Sequence, residues 1–254
     1  MTELVWEEHG SVALLRFEGS ERLNAFSSET YVAFDRQLAR FAGESQWKVL
    51  ILTGGGRAFC SGQDLDEAHE VQSLSEKDLR SRLEQLQALT RRLRDLPVLL
   101  VAAVNGPAVG FGAEMTLACD VRFASEEAYF MFPELSRGLY FTNATLELLP
   151  SLAGSSRACE LLLAGQRWSA TDAMAAGFVS RVMPGERLLP EAQRFAAQAA
   201  KVPTEALLST LRFLRRRQAA AVEAALHYEV ETFVRLRASA QSPPVQPIVA
   251  GGER

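Results

Sequence analysis

The stretch VLLVAAVNGPAVGFGAE, residues 98–114, carries the pattern on which the fold turns. Residues 98–104 form an apolar run of strand length, bounded by Pro97 and by Asn105-Gly106, as expected of a strand buried on both faces. Gly106, Gly110 and Gly112 then surround one bulky residue, Phe111, and the segment stops at Glu114, from which residues 115–119 continue as an apolar helix. The order recurs in VLILTGGGRAFCSGQDL, residues 49–65: a buried strand, small residues, a helix start. Glycines at such turns permit tight bends and close approach of a ligand, and the free N–H groups of a helix start carry the positive end of its dipole. Two such N–H groups facing one spot make an oxyanion hole, although packing alone also produces turns of this kind. Neither turn is a phosphate loop, because the first lacks G-x-G-x-x-G and the second lacks the closing G-K-[ST].

Outward from these turns the chain reads as an α/β protein. Residues 12–17 and 49–53 are β-prone runs, and residues 31–42 between them have helical spacing at Phe34, Leu38 and Phe41. Asp64 and Glu67 have capping-box spacing for a new helix, and residues 75–94 predict a long amphipathic helix stopped by Pro97. Short strands are expected at 121–124, 129–132 and 178–183. Helices are expected at 146–152, 156–163, 170–176 and 188–201, followed by paired helices over 203–240 that could pack on a neighbouring subunit. The last residues, SPPVQPIVAGGER, hold three prolines and two glycines, the composition of a loosely held tail.

Composition narrows the function. The 254 residues are 48% hydrophobic, enough for a sizeable core, and the net charge of −4 argues against a generally basic, nucleic-acid-binding surface. The run RFLRRR (212–217) leaves room for a local basic patch but reads first as a solvated helix face or subunit contact. Cys60, Cys119 and Cys159 have no metal-site spacing and read as reduced core residues, while the start, MTELVWEEHG, lacks the features of a signal peptide. The expectation is a cytoplasmic enzyme or binding protein with no metal site and no membrane association.

Two carboxylates are embedded in hydrophobic sequence: Glu114 in AEMTLAC and Glu134 after FMFP. Each alone fits a residue paired with an arginine or with backbone amides. Together, beside an oxyanion hole, they fit acid–base work, since desolvation raises a carboxyl pKa and lets one member hold a proton while the other accepts one. His9, His69 and His227 lie in polar or helical settings without a carboxylate partner and do not read as catalytic.

Several ordered blocks over residues 12–183 resemble the enoyl-CoA hydratase/isomerase, or crotonase, superfamily: RLNAF (22–26), GGGRAFCSGQDLDE (54–67), AAVNGPAVGFGAEMTLACDVRFAS (102–125), FPELSRGL (132–139), SLAGSSRA (151–158) and LLLAGQRWSATDAMAAGFVSRV (161–182). The resemblance implies a spiral of ββα repeats over residues 1–190 and a C-terminal α-helical region over 191–254 that makes trimers or dimers of trimers. It implies an acyl-CoA thioester ligand, with coenzyme A part of the substrate and no further cofactor. The backbone N–H groups of Gln63 and Phe111 would hold the thioester oxygen, and Glu114 with Glu134 would add water to a trans-2-enoyl-CoA. Arg22, Arg57 and Ala58 sit in blocks that flank the expected coenzyme path.

The chain departs from the family at two places. Tyr140, Phe141 and Thr142 stand where the hydratases carry a proline and glycines, and are expected either to shape the acyl pocket or to pack in the core. Phe111 replaces a glycine at the second donor, so its ring must turn away from the thioester or line the acyl tunnel. Double-bond isomerisation, other enolate chemistry, or acyl-CoA binding without turnover are the alternatives to hydration.

Overall fold

The computed structural model describes residues 2–68 and 73–239. Six strands form the main sheet: β1 (Glu3–His9), β2 (Val12–Glu18), β3 (Val49–Gly54), β4 (Leu99–Val104), β6 (Val121–Ser125) and β9 (Arg181–Met183), side by side in that order. β1 pairs antiparallel with β2, and every later pair is parallel. β1 escapes a reading of the sequence because ELVWEEH mixes half-exposed apolar residues with charges, as an edge strand does.

Helices cover both faces of this sheet, which is why its central strands are apolar without alternation. Leu15, Leu50, Leu52, Leu100 and Ala102 point into the larger core with α1 (Ser28–Gly43) and α3 (Glu76–Asp95). Their neighbours Leu14, Val49, Ile51, Val101 and Ala103 point the other way, onto α8 (Gly185–Ala199) and α9 (Thr204–Arg216). The expected boundary at residue 190 falls inside α8.

A second sheet of short strands, β5 (Ala108–Val109), β7 (Tyr129–Met131) and β8 (Trp168–Ser169), packs beside the first and completes the crotonase-type arrangement of strand, strand and helix. Two-residue strands leave no periodicity to read. The remaining helices are α2 (Leu65–Ala68), α4 (Phe111–Leu117), α5 (Thr145–Ala153), α6 (Ser155–Ala164), α7 (Ala170–Ala175) and α10 (Ala219–Ala238).

Local sequence explains the longer helix ends. Ser27 and Ser75 cap α1 and α3, each accepting from a backbone N–H three residues on. Leu96, held extended by the following Pro97, ends α3.

Four expectations need correction or lie outside the structure. The Asp64–Glu67 pair is not a closed capping box: Glu67 turns back to accept from the Ser28 amide and hydroxyl at 2.7 and 2.6 Å, supporting the start of α1. Cys159 is exposed, whereas Cys60 and Cys119 are buried and desolvation pushes both thiols up to about 12. The basic run is not simply a solvated face, since Arg215 turns inward to Asp120 and donates to the carbonyls of Arg94, Leu96 and Val98, gathering the C-terminal end of α3. The expected tail lies outside the described residues.

Candidate active site

The two glycine-rich turns meet. Val109 donates to the Cys60 carbonyl at 3.0 Å, and Gln63 forms a bridge with Phe26, so the 60–63 loop runs alongside β5 and the start of α4. Gly62 has φ +94°, and a side chain there would stand 2.7 Å from the Val109 carbonyl and 3.4 Å from the Phe111 nitrogen. That contact places the peptide leading to Gln63 against the Phe111 amide. Among the described residues neither the Gln63 nor the Phe111 backbone N–H has a hydrogen-bond partner. Two unpartnered amides on neighbouring strand-to-helix turns are groups that could together receive one oxygen atom.

The benzyl group at this donor is accommodated without strain. Gly110, at φ 54° and ψ −125°, takes the conformation a side chain would resist, and Phe111 becomes the first residue of α4. Its ring packs against Phe26 and Tyr31, with centroids 5.4 and 4.8 Å away, and forms one wall of a cleft.

Glu114, one helical turn later, is buried in that cleft. Asn143 donates to its Oε2 at 2.5 Å, the Thr145 hydroxyl to its Oε1 at 2.7 Å, and the Thr142 amide approaches at 3.5 Å. Burial raises its pKa above the ordinary carboxyl value, and the three donors offset only part of that rise. Glu134 comes from the other side, after β7. A side chain on Gly110 would stand 3.2 Å from its Oε1, and its Oε2 is buried with no partner among the described residues. Burial pushes Glu134 well above the ordinary carboxyl range, and the nearby Glu114 pushes it further. The two carboxyls share one cavity but not one environment: burial raises both, yet three donors favour the charged form of Glu114 while Glu134 has a bare oxygen and the stronger upward push.

Of the residues anticipated from sequence, Gln63, Phe111, Glu114, Glu134, Tyr140 and Thr142 line this one cleft. Phe141 does not; it is fully buried in the core with its ring 5.4 Å from that of Tyr140. Arg22 lies in a separate surface hollow, its guanidinium held by Asp64 at 2.7 Å and Asp66 at 2.9 Å. Arg57 is exposed with no ion-pair partner among the described residues, and Ala58 is buried with its carbonyl accepting from Asn24 and Asn105.

Sequence reading missed a third buried carboxyl. Glu229 of α10 is fully buried and accepts from the backbone amides of Ala144, at 2.8 Å, and Leu146, at 3.0 Å, so it caps the start of α5 from outside that helix. Burial pushes its carboxyl up to about 8 against the pull of those amides. The capped segment is the one that supplies Thr142, Asn143 and Thr145 to Glu114. From the other side, the Thr90 hydroxyl of α3 donates to the Asn143 carbonyl oxygen at 2.8 Å and orients its amide. No spacing in HYEVETF points to this role; only the fold brings residue 229 to residue 144.

Unpartnered backbone amides beside two unlike carboxyls could hold a carbonyl oxygen and move protons next to it. Residues 7–243 match the enoyl-CoA hydratase/isomerase family, and the chain belongs to that family. It is 37% identical over 244 residues to a probable enoyl-CoA hydratase, echA12, of Mycobacterium bovis, covering 92% of this chain and 85% of that one. It is 35% identical over 194 residues to the 1,2-epoxyphenylacetyl-CoA isomerase of Escherichia coli, covering 76% of this chain and 74% of the relative. The crystal structure of an enoyl-CoA hydratase/isomerase from Mycobacterium paratuberculosis superposes with a TM-score of 0.86 at 27% identity, covering 93% of this chain and 94% of the other.

Proposed function

We propose that this protein is an enoyl-CoA hydratase that adds water across the 2,3 double bond of a trans-2-enoyl-CoA. The observation that carries the reading is the unlike pair: Glu114 held by three donors, Glu134 buried with a bare oxygen. Hydration needs both states at once. Glu114 takes a proton from water while the water oxygen bonds to C3; the π electrons shift through C2 to the thioester oxygen, where the Gln63 and Phe111 amides hold the enolate charge. Glu134 then gives its proton to C2 as the enolate collapses, and exchange with solvent restores both acids.

Coenzyme A arrives as part of the substrate, and the mechanism invokes no other cofactor and no metal. Exposed Arg57 is the candidate for a coenzyme phosphate, while Arg22 already has two carboxylate partners. Exposed Phe213 and Leu214 on α9 fit the expected contact of a trimer. No helix among the described residues is long and apolar enough to cross a membrane.

Isomerisation is the second reading, favoured by a family that covers isomerases as well as hydratases: the same carboxyls could move a proton from C4 to C2 without adding water. A product-resolved assay over enoyl-CoA esters separates the two. Loss of the conjugated enoyl absorbance with formation of 3-hydroxyacyl-CoA is expected, reduced roughly 10²–10⁴-fold by Glu114→Gln or Glu134→Gln. Unchanged turnover in both variants would sink the assignment.

A further inference from the structure

Two cations line the same cleft and take no part in the mechanism above. Arg137 follows Glu134 on the short turn Leu135–Arg137, and Arg82 projects from α3. Arginine in a substrate cavity is expected to have a carboxylate partner or to be waiting for one, because an unpaired guanidinium away from water is costly.

Neither has an ion-pair partner within 4.0 Å among the described residues. Arg137 makes no ion pair within 4.0 Å, its Nη2 is buried without a hydrogen-bond partner, and burial holds its pKa below the usual arginine value. Glu134, the nearest carboxyl in sequence, attracts it electrostatically but makes no ion pair with it within 4.0 Å, and the Oε2 of Glu134 is itself without a hydrogen-bond partner. Arg82 lies over the Tyr31 ring, 5.4 Å from its centroid, and donates to the Ser28 hydroxyl at 2.9 Å; Glu67 reaches it only through that hydroxyl. Most other arginines of the chain that face a carboxylate are paired directly, as Arg215 is with Asp120 and Arg92 with Asp35.

The surroundings of the two cations are apolar. Leu83, Leu86, Leu139 and Phe233 form the remaining wall. An acyl chain entering beside Glu114 and Glu134 would run along these side chains and carry its far end toward one guanidinium or both. A methyl end would leave them unpaired. A carboxylate end would give them charge-assisted hydrogen bonds in low dielectric, the setting in which arginine discriminates best.

We propose that Arg82 and Arg137 form an anion-binding end to the acyl cleft, so that the substrate class is CoA esters whose acyl chain ends in a carboxylate. The inference rests on the acyl-CoA reading above but not on hydration. The enzyme's preference is therefore set inside the cleft, by two side chains that touch neither water nor enolate.

Calorimetry with saturated CoA esters tests it apart from turnover. The probes are matched pairs of equal chain length: succinyl and butyryl, glutaryl and valeryl, adipoyl and hexanoyl. The dicarboxylic member of at least one pair is expected to bind roughly tenfold or more tightly. Arg137→Met and Arg82→Met should each cut that ratio, and Arg137→Lys should retain part of it. Methyl-ended esters binding as well as or better than their partners at every length would overturn the inference, as would a ratio unmoved in both methionine variants. Preference without turnover of any unsaturated ester overturns the hydratase reading alone; turnover without preference overturns this inference alone.

Discussion

Exchanging Glu229 for glutamine should remove one contribution to the pH dependence of stability. The side chain is fully buried, and its folded-state pKa of about 8 stands above an ordinary 4.5. A carboxyl that binds its proton more tightly when folded contributes stability fully present below pH 4.5, lost progressively as pH rises and gone above about pH 8. The whole gap corresponds to about 5 kcal/mol, of which roughly 3 kcal/mol falls between about pH 6 and pH 9. Glutamine keeps the shape and a carbonyl for one of the two capped amides, at a cost of about 1 kcal/mol for the other, and it has no proton to lose. Urea denaturation of both proteins at equal concentration, at about pH 6 and pH 9, should therefore show the variant gaining roughly 3 kcal/mol on the wild type across that range. Groups common to both proteins cancel in this comparison. If the two stabilities fall in parallel, the buried cap titrates as it does in the unfolded chain and the reasoning fails.

Three other perturbations follow from the same geometry. Asn143→Ala removes a donor from the Glu114 carboxylate, raising its pKa; the acid limb of the kcat profile should move to higher pH, and an unmoved limb would deny Asn143 its role. Gly62→Ala forces a side chain onto a residue at φ +94° and into the Val109 carbonyl, so the Gln63 amide should shift and kcat fall about 10²–10³-fold; activity within a factor of about two of wild type would show that the amide does not hold the reacting oxygen. Arg215→Met strands the partly buried Asp120 carboxylate and three carbonyls, and should cost about 3 kcal/mol in urea denaturation; a loss under about 1 kcal/mol would mean that the inward turn of Arg215 is incidental.

What could be read from the sequence was what the chain encodes locally. Glycine at 62 and 110 answers to backbone geometry at those residues, so the strand-turn-helix segments, and the amides they aim, were visible before any tertiary contact was known. Glu114 and Glu134 were visible because a carboxylate among apolar residues is conspicuous. Residues whose meaning lies in a distant partner were not. Glu229 sits 85 residues from the amide it caps, and Thr90 reaches Asn143 across 53. Tyr140 and Phe141, adjacent and chemically alike, divide between cleft and core, a choice made by the turn after Gly138 rather than by either side chain. Arg215 looked like its exposed neighbours in a basic run until Asp120 and the end of α3 claimed it.

The reach of α10 back to the cleft has a consequence for how the enzyme is made. Both proposed oxyanion donors and both carboxyls proposed to move protons are encoded before residue 135, yet the cap at Glu229, the wall at Phe233 and the Leu226 carbonyl that receives Gln87 belong to the last described helix. A chain still on the ribosome can assemble the sheet and bring its two glutamates together while the loop that grips Glu114 lacks its anchor. The site becomes complete only when the final helix has emerged and docked, so synthesis itself withholds competence from the unfinished protein.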